Sequence, residues 1–447
     1  MAELISWLGP EPGPRPIPAG RVARGRLTPP PSKSVTHRYL DLVLLSGREA
    51  TVRRPLLAED TRLFLDALAA LGWRVEVSEE AARLAPPARP PAAAEISCGN
   101  AGTLFRFLTA TLAVLPGRWR LDGTPRLRER PIAPLVAALR ALGARIEPAA
   151  AGGAPLAIDG GALPGGHATL DAGESSQYLS ALLMAALRAE GPVELAVPAL
   201  TSRPYVALTR DAIRRFTPPG TADPVEELAG GYRVRPARPV PPPDLVVEGD
   251  FSAACYPAAA AALTGGRVVL EGLAPDSAQG DRGFLDLLAR MGARVAWRDG
   301  AVEVEGGELT GLAVDLSALP DQVPTLAALA PFAKGTTCIY NVSHLRIKES
   351  DRLRALATGL GRLGVPVEEL PDGLRIPGCW AGGAPPARLG SPAGEPVVLD
   401  PVGDHRIAMS FALVGLRRPG VAVAHPEVVA KSYPGFWRDL DALLGAG

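Results

Sequence analysis

The chain has 447 residues, 47% of them apolar, with 47 Lys plus Arg set against 47 Asp plus Glu. That length exceeds one ordinary hydrophobic core and points to two domains. The neutral balance argues against nucleic acid or a membrane surface as partner, while leaving room for a local basic cleft. Cys98, Cys255, Cys338 and Cys379 stand far apart and form no CxxC pair. Neither a zinc site nor a disulfide framework is expected, and a reducing, cytoplasmic setting is. The opening MAELISWLGPEPGPRP carries Glu3 and lacks a basic region before an apolar stretch, so it does not read as a signal peptide. No apolar run reaches the roughly 18 residues that a membrane span needs.

In chain order, residues 28–38 read TPPPSKSVTHR. Three prolines stiffen the approach to a turn crowded with hydroxyls and cations: Ser32, Lys33, Ser34, Thr36, His37 and Arg38. This is either a solvated helix start or an anion site on a rigid approach. A repeat then begins. LDALAALGWRVEV, LVAALRALGARIE, LDLLARMGARVAW and LATGLGRLGVPVE each show a helical apolar stripe, a glycine and a short alternating strand. Their glycines are Gly72, Gly143, Gly292 and Gly364. The outer pairs are about 72 residues apart and the middle pair about twice that, so one unit is hidden between them. TRDAIRRFTPPG fills the gap, with Thr217 in the glycine's place. LDALLGAG, through Gly445, reads as a sixth unit cut short after its helix. Six units of roughly 70–80 residues, each with about two strands and two helices, are expected.

Three units precede residue 245 and three follow it, which predicts two similar lobes. The proline-rich stretch at 235–245 and the proline run at 29–31 read as the crossings between them. The expected division is 1–31 with 248–447 as one lobe and 32–247 as the other. A ligand cleft is expected between the lobes at the two hinge crossings, with Lys33 beside it.

Polar clusters recur at loop-to-helix junctions. CGNAGTLFRFLTA places Asn100, Gly102 and Thr103 before an apolar helix with Arg106, as an anion site or a plain N-cap by Asn100 or Thr103. Arg126, Arg128 and Arg130 precede a proline and suit carboxylate or phosphate, or a solvated loop. Ser175, Ser176 and Gln177 open a very apolar helix, where serines can cap or bind an oxyanion; Ser202 to Tyr205 read SRPY. No His or Asp accompanies these serines in a nucleophile-elbow pattern, so covalent serine catalysis is not expected. Asp321 stands before a helix as cap or base. LRIKESDRLRAL holds Arg346, Lys348, Glu349, Asp351, Arg352 and Arg354. On a helix Lys348 and Arg352 would share a face, either neutralised by the neighbouring acids or holding an anion between them. Asp404, His405 and Arg406 precede another apolar helix, and KSYPGFW adds Lys431. One small ligand with several negative groups would account for the theme. No Walker A motif, GxGxxG or metal-ligand cluster is present, so cofactor-free chemistry is expected.

Taken in order, SKSVTHR, GNAGTLFR, LRERP, SSQYLSALLMAA, SRPY, EGDFSAA, RIKESDRL, DHRIAM and KSYPGFW resemble the 5-enolpyruvylshikimate-3-phosphate synthase family over nearly the whole chain. The resemblance implies an α/β (α+β) fold of two similar lobes, each of three β/α repeat units, in an inside-out α/β barrel. It implies transfer of the enolpyruvyl group of phosphoenolpyruvate to the 5-hydroxyl of shikimate 3-phosphate, with release of phosphate, as a step of aromatic amino-acid biosynthesis. No metal or cofactor is implied, and a monomer is expected. By the same resemblance, Lys33, Ser34 and Arg38 would hold shikimate 3-phosphate. Ser175, Ser176 and Ser202 would take its phosphate, with Tyr205 stacked nearby and Gln177 touching both ligands. Lys33, Asn100, Gly102, Arg130, Arg352, Arg406 and Lys431 would take phosphoenolpyruvate. Asp321 would be the base for the 5-hydroxyl, with Lys348 orienting both. Glu349 would protonate the methylene carbon. Gly102 implies sensitivity to the inhibitor glyphosate. His344 would also touch shikimate 3-phosphate; it and His37 stand where the family often has Asn. The rival readings are a UDP-N-acetylglucosamine enolpyruvyl transferase, an RNA 3′-phosphate cyclase relative and a non-catalytic anion-binding relative. The first usually carries a cysteine in the first lobe, and none lies between Cys98 and Cys255.

Overall fold

Segments such as SALLMA and the alanine-rich FSAACYPAAAAALT have no polar side. A helix apolar all round belongs inside a core. The computed structural model describes residues 13–149, 152–381 and 397–445, so most of the opening stretch discussed above lies outside the described residues. The chain divides into two units. One comprises Met1–Pro30, Gly249–Ser277 and Asp281–Gly447; the other comprises Pro31–Glu248 with Ala278–Gly280.

Each unit is built on three mutually packed, almost wholly buried helices. In the unit 31–248 these are Lys33–Ser46, Gly102–Ala113 and Ser176–Ala185. In the other they are Phe251–Thr264, Val323–Leu329 and His405–Arg417. Alanine lets the helix Phe251–Thr264 sit there, since small side chains allow close approach on every side. The sheets lie outside these helices. Their strands alternate in burial, as in Ala81–Ala85, so one face packs inward and the other meets water.

There are six sheets among the described residues, three in each unit. Strands Ala93–Ser97 and Gly117–Asp122 are parallel, and the hairpin Arg145–Pro148 with Leu156–Gly160 adds on antiparallel. The sheet beginning Gly166–Thr169 and the one beginning Ala313–Asp315 repeat that order. Five sheets have four strands, more than the pair per repeat that periodicity suggested. Three sheets borrow a strand from far away. Leu245–Val246 lies parallel to Ala50–Arg53, and Arg24–Leu27 lies parallel to Arg267–Leu270. The truncated sixth unit, Val397–Leu399 with Val421–Val423, is completed by Arg15–Pro16 running antiparallel.

The repeat glycines end their helices in the left-handed region; at Gly292, φ is 117° and a Cβ would meet the Glu308 carbonyl oxygen at 2.4 Å. Thr217 fills the same role differently. Its N–H donates to the Arg214 carbonyl at 3.0 Å and its hydroxyl to that of Ile213 at 2.9 Å.

Candidate active site

A parallel strand pair sends both of its following loops off the same end, which is where open α/β sheets bind ligands. Every candidate residue lies beyond such an end. Asn100 and Gly102 follow Ala93–Ser97, and Arg130 follows its parallel neighbour Gly117–Asp122. Ser175 and Ser202 follow the parallel strands Gly166–Thr169 and Val193–Ala196. Asp321 and Lys348 follow Ala313–Asp315 and Thr336–Tyr340, and Arg406 and Lys431 follow Val397–Leu399 and Val421–Val423.

In the unit that carries Asp321, a charge cluster centres on Arg352, whose side chain is 2% exposed. Its guanidinium donates to Asp321 Oδ1 at 2.8 Å, Glu349 Oε2 at 2.9 Å and Asp404 Oδ2 at 2.7 Å. Arg406 takes the other oxygen of Asp321 at 2.8 Å. Asp404 is fully buried and also caps the helix His405–Arg417, accepting from the Arg406 N–H at 2.9 Å. Burial would raise the pKa of Asp321, but Arg406, Arg352 and Lys348 together hold it well below the usual carboxylate range. Lys431 is buried at the end of the turn Pro426–Lys431. His344 is buried, and desolvation with Lys348 nearby pushes its pKa down to about 3, so the ring is neutral.

Two expectations change here. Lys348 and Arg352 do not share a helix face. The turn Ser343–Ile347 ends before Lys348, which is extended (φ −86°, ψ −151°), and a new helix begins at Arg352 with Asp351 as its N-cap. A short-side-chain acid is a better cap than a helix interior residue, so the chain restarts at Asp351. Asp321 is not a cap either: it lies within the turn Pro320–Gln322, with its carboxylate on the two arginines.

In the other unit, Ser32 caps the helix Lys33–Ser46, accepting from the Val35 N–H. Lys33 Nζ meets Asp60 Oδ2 at 3.1 Å, and both are largely buried. Ser34 opens the same helix. Arg38 is turned inward. It donates to the Thr209 hydroxyl at 2.8 Å and to the carbonyls of Ser34 at 2.9 Å and Tyr205 at 2.8 Å. Arg38 therefore ties the Lys33 helix to the helix Arg203–Arg215, which starts beside Ser202. Burial lowers its pKa to about 10, and it stays charged.

Ser175 caps the helix Ser176–Ala185 through the Gln177 N–H at 3.3 Å. The Gln177 side chain is gripped at both ends, by Arg106 at 2.7 Å and by the Thr103 hydroxyl at 2.9 Å. Ser202, 5% exposed, holds a left-handed backbone (φ 52°) and its hydroxyl does not cap its helix. For a non-glycine residue that conformation costs about 1 kcal/mol or more. Neither Asn100 nor Thr103 is an N-cap: the helix Gly102–Ala113 begins after Ala101 without a side-chain cap. Arg130 is 5% exposed and donates to the Asn100 carbonyl at 3.3 Å. Arg126 and Arg128 pair instead with Glu129 and Asp122 at the surface.

Sequence reasoning missed Asp60 and gave Asp404 no role. It also gave Arg106 no link to Gln177. Asp404 was visible as an acid before a helix, but an ordinary cap looks the same. Asp60 and Arg106 act on residues 27 and 71 positions away, and no local pattern reports such pairs.

Comparisons with known proteins identify the family and the fold. The family model for EPSP synthase (3-phosphoshikimate 1-carboxyvinyltransferase) matches residues 18–440. A 3-phosphoshikimate 1-carboxyvinyltransferase of Syntrophobacter fumaroxidans is 44% identical over 437 residues, covering 94% of this chain and 97% of the relative. One of Methanoculleus marisnigri is 43% identical over 423 residues, covering 94% and 96%. A solved structure of EPSP synthase from Acinetobacter baumannii is similar with a TM-score of 0.75 and 27% identity, covering 96% of this chain and 98% of that one. Two lobes of three β/α units each, sheets outside and helices inside, is thus a shared architecture, and the chain belongs to the EPSP synthase family.

Proposed function

We propose that this chain transfers the enolpyruvyl group of phosphoenolpyruvate to the 5-hydroxyl of shikimate 3-phosphate and releases phosphate. The observation that carries the reading is the carboxylate of Asp321, held between Arg352 and Arg406 in a unit that also presents Lys348 and Glu349. In that state Asp321 is too weak a base. An incoming anion competes for the two guanidiniums, and as they turn to it the pKa of Asp321 rises toward that of a working base.

The roles follow. Ser175, Ser176 and Ser202 take the phosphate of shikimate 3-phosphate, with Tyr205 beside it and Lys33 and Ser34 on the ring. Arg38 supports them by fixing the Lys33 helix. Asn100, Gly102, Arg130, Arg352, Arg406 and Lys431 serve phosphoenolpyruvate, with Lys33 and Gln177 touching both ligands. His344, neutral and buried, offers only a hydrogen bond to the first substrate. Asp321 accepts the 5-hydroxyl proton, the oxygen bonds to C2 of phosphoenolpyruvate, and Glu349 protonates C3. The C2–O bond to phosphate then breaks, a proton returns from C3 to Glu349 as the C2–C3 double bond re-forms, and the proton taken up by Asp321 leaves with the phosphate. The cations stabilise charge on both anions throughout. The chain acts as a cytoplasmic monomer in this reading; no helix among the described residues is long and apolar enough to cross a membrane.

The test is phosphate release with each substrate alone and then with both, in chelator, with Asp321→Asn alongside. Release only with both, unaffected by chelator and sharply reduced in the variant, supports the transferase. Saturable binding of shikimate 3-phosphate without release would reduce the site to a binding site.

A further inference from the structure

Lys348, which orients the base, and Glu349, the proposed acid, sit on a segment with no regular secondary structure of its own. The turn Ser343–Ile347 ends just before it, and the helix Arg352–Arg362 starts just after it. Something else must hold it, because misplacing a reacting group by about 1 Å costs on the order of 100-fold in rate.

Arg346 occupies the near end of this segment, and its guanidinium is almost saturated. Nη1 donates to Asp351 Oδ2 at 3.1 Å and to Glu369 Oε1 at 2.7 Å. Nη2 donates to the Leu370 carbonyl at 2.7 Å, and Nε to the Pro371 carbonyl at 3.2 Å. Asp351 is the far end: it caps the next helix, accepting from the Arg354 N–H at 3.0 Å. Glu369 is in turn gripped by Arg354 at 2.6 Å. The adjoining turn also receives the chain ahead of Arg346, since the Val342 N–H donates to the Asp372 carbonyl at 2.9 Å. One guanidinium thus joins residues 346 and 351 to each other and to the strand Glu368–Leu370. The loop between them carries Lys348 and Glu349.

We propose that Arg346 is a positioning residue for Lys348 and Glu349, acting as a staple across the ends of their loop. The proposal rests on the functional reading above for the roles of those two residues. The Arg346 side chain is 26% exposed and that of Asp351 37%, so their ion pair contributes little to overall stability. Its consequence lies in geometry. A planar fork with two carboxylate and two carbonyl acceptors fixes direction, which a lysine cannot reproduce.

The experiment uses the full chain as Arg346→Ala, Arg346→Lys and Asp351→Asn. The last keeps a competent N-cap and removes only the charge. Amide hydrogen exchange over 347–350 is expected to accelerate at least about tenfold in Arg346→Ala, with the helix His405–Arg417 unchanged. In turnover, kcat falls on the order of 10- to 100-fold while both KM values stay within about threefold. Arg346→Lys recovers only part of the loss, and Asp351→Asn shows a smaller loss of the same kind. Combined with Lys348→Ala, Arg346→Ala costs much less than it does alone, because it acts through the same loop. Unchanged exchange, additive losses, or a rise in KM with kcat intact would overturn the proposal. Absence of phosphate release by the unmodified protein would instead overturn the functional reading, and the exchange result alone would then decide the staple.

Discussion

A methyl group on residue 102 would sit 2.5 Å from Cζ of Arg130. The guanidinium occupies the space that glycine leaves, at the start of the helix Gly102–Ala113. Gly102→Ala must therefore push Arg130 aside, because the helix backbone cannot move without disturbing a buried core. The expected result is a higher KM for phosphoenolpyruvate, by roughly tenfold for about 1.4 kcal/mol of lost binding. The thermal midpoint should barely change. An unchanged KM would mean that Arg130 does not hold this substrate.

Asp321→Asn removes the charge shared by Arg352 and Arg406. Loss of a general base lowers kcat by roughly 10²- to 10⁴-fold. The same change has a pH signature. The pKa of Asp321 is depressed in the folded state, so its ion pairs stabilise the protein above the ordinary carboxylate pKa of about 3.9 and that contribution is lost as pH falls below it. Urea midpoints of the variant and the parent should therefore converge as the solution is made acidic. A constant gap down to low pH would refute the assignment.

Arg38 spends its hydrogen bonds inside the protein. Arg38→Met keeps the volume and removes the donors to Thr209, Ser34 and Tyr205. It is expected to destabilise the unit 31–248 by about 3 kcal/mol, read as a lower urea midpoint. If stability is untouched and only the KM for shikimate 3-phosphate rises, Arg38 is a substrate contact instead.

His37 and Asp41, one turn apart on the same helix, are both fully buried and shifted in opposite directions. Burial lowers the pKa of His37 to about 4, with Asp60 and the Lys33 carbonyl opposing it and Lys33 and Arg38 adding to it. The unfolded chain protonates this ring near pH 6.5 and the folded chain does not until about pH 4, so stability falls across that window as pH drops, by about 3 kcal/mol. Burial raises the pKa of Asp41 to about 7, opposed by the Thr111 hydroxyl and by Arg38. Here the folded state holds the extra proton, so stability falls as pH rises from about 4 to 7. The two windows overlap and the slopes oppose, so His37→Gln should expose a fall in stability as pH rises from about 4 to 7, and Asp41→Asn a fall as pH drops from about 6.5 to 4. If either variant leaves the parent's profile unchanged, the group it replaces is not titrating in this window.

Much of this was legible in the sequence because the repeat is local. Helix, glycine and strand occupy consecutive residues, so Gly72, Gly143, Gly292 and Gly364 marked the units, and polar residues at the helix starts marked the candidate site. The borrowed strands were not legible. Arg24–Leu27 is four residues long and its partner lies beyond residue 266, so neither periodicity nor turn chemistry reports the pairing. The LRIKESDRL segment misled for a related reason. Spacing alone put Lys348 and Arg352 on one helix face, while the preference of Asp351 for a cap divides the segment. The internal hydrogen bonds of Arg38 were not legible either, because its acceptors, Thr209 and the Tyr205 carbonyl, are about 170 positions away.

Those borrowed strands also set an order of assembly during synthesis. When Arg24–Leu27 leaves the ribosome, its partner Arg267–Leu270 does not yet exist. The intervening unit can close its own last sheet once Leu245–Val246 has emerged beside Ala50–Arg53. It can therefore fold, but for Ala278–Gly280, while Arg24–Leu27 of the other unit still waits as an open edge. Such an edge invites pairing with other chains. This one is short and carries Arg24 and Arg26, both exposed, so repulsion between like charges guards it until residue 270 arrives.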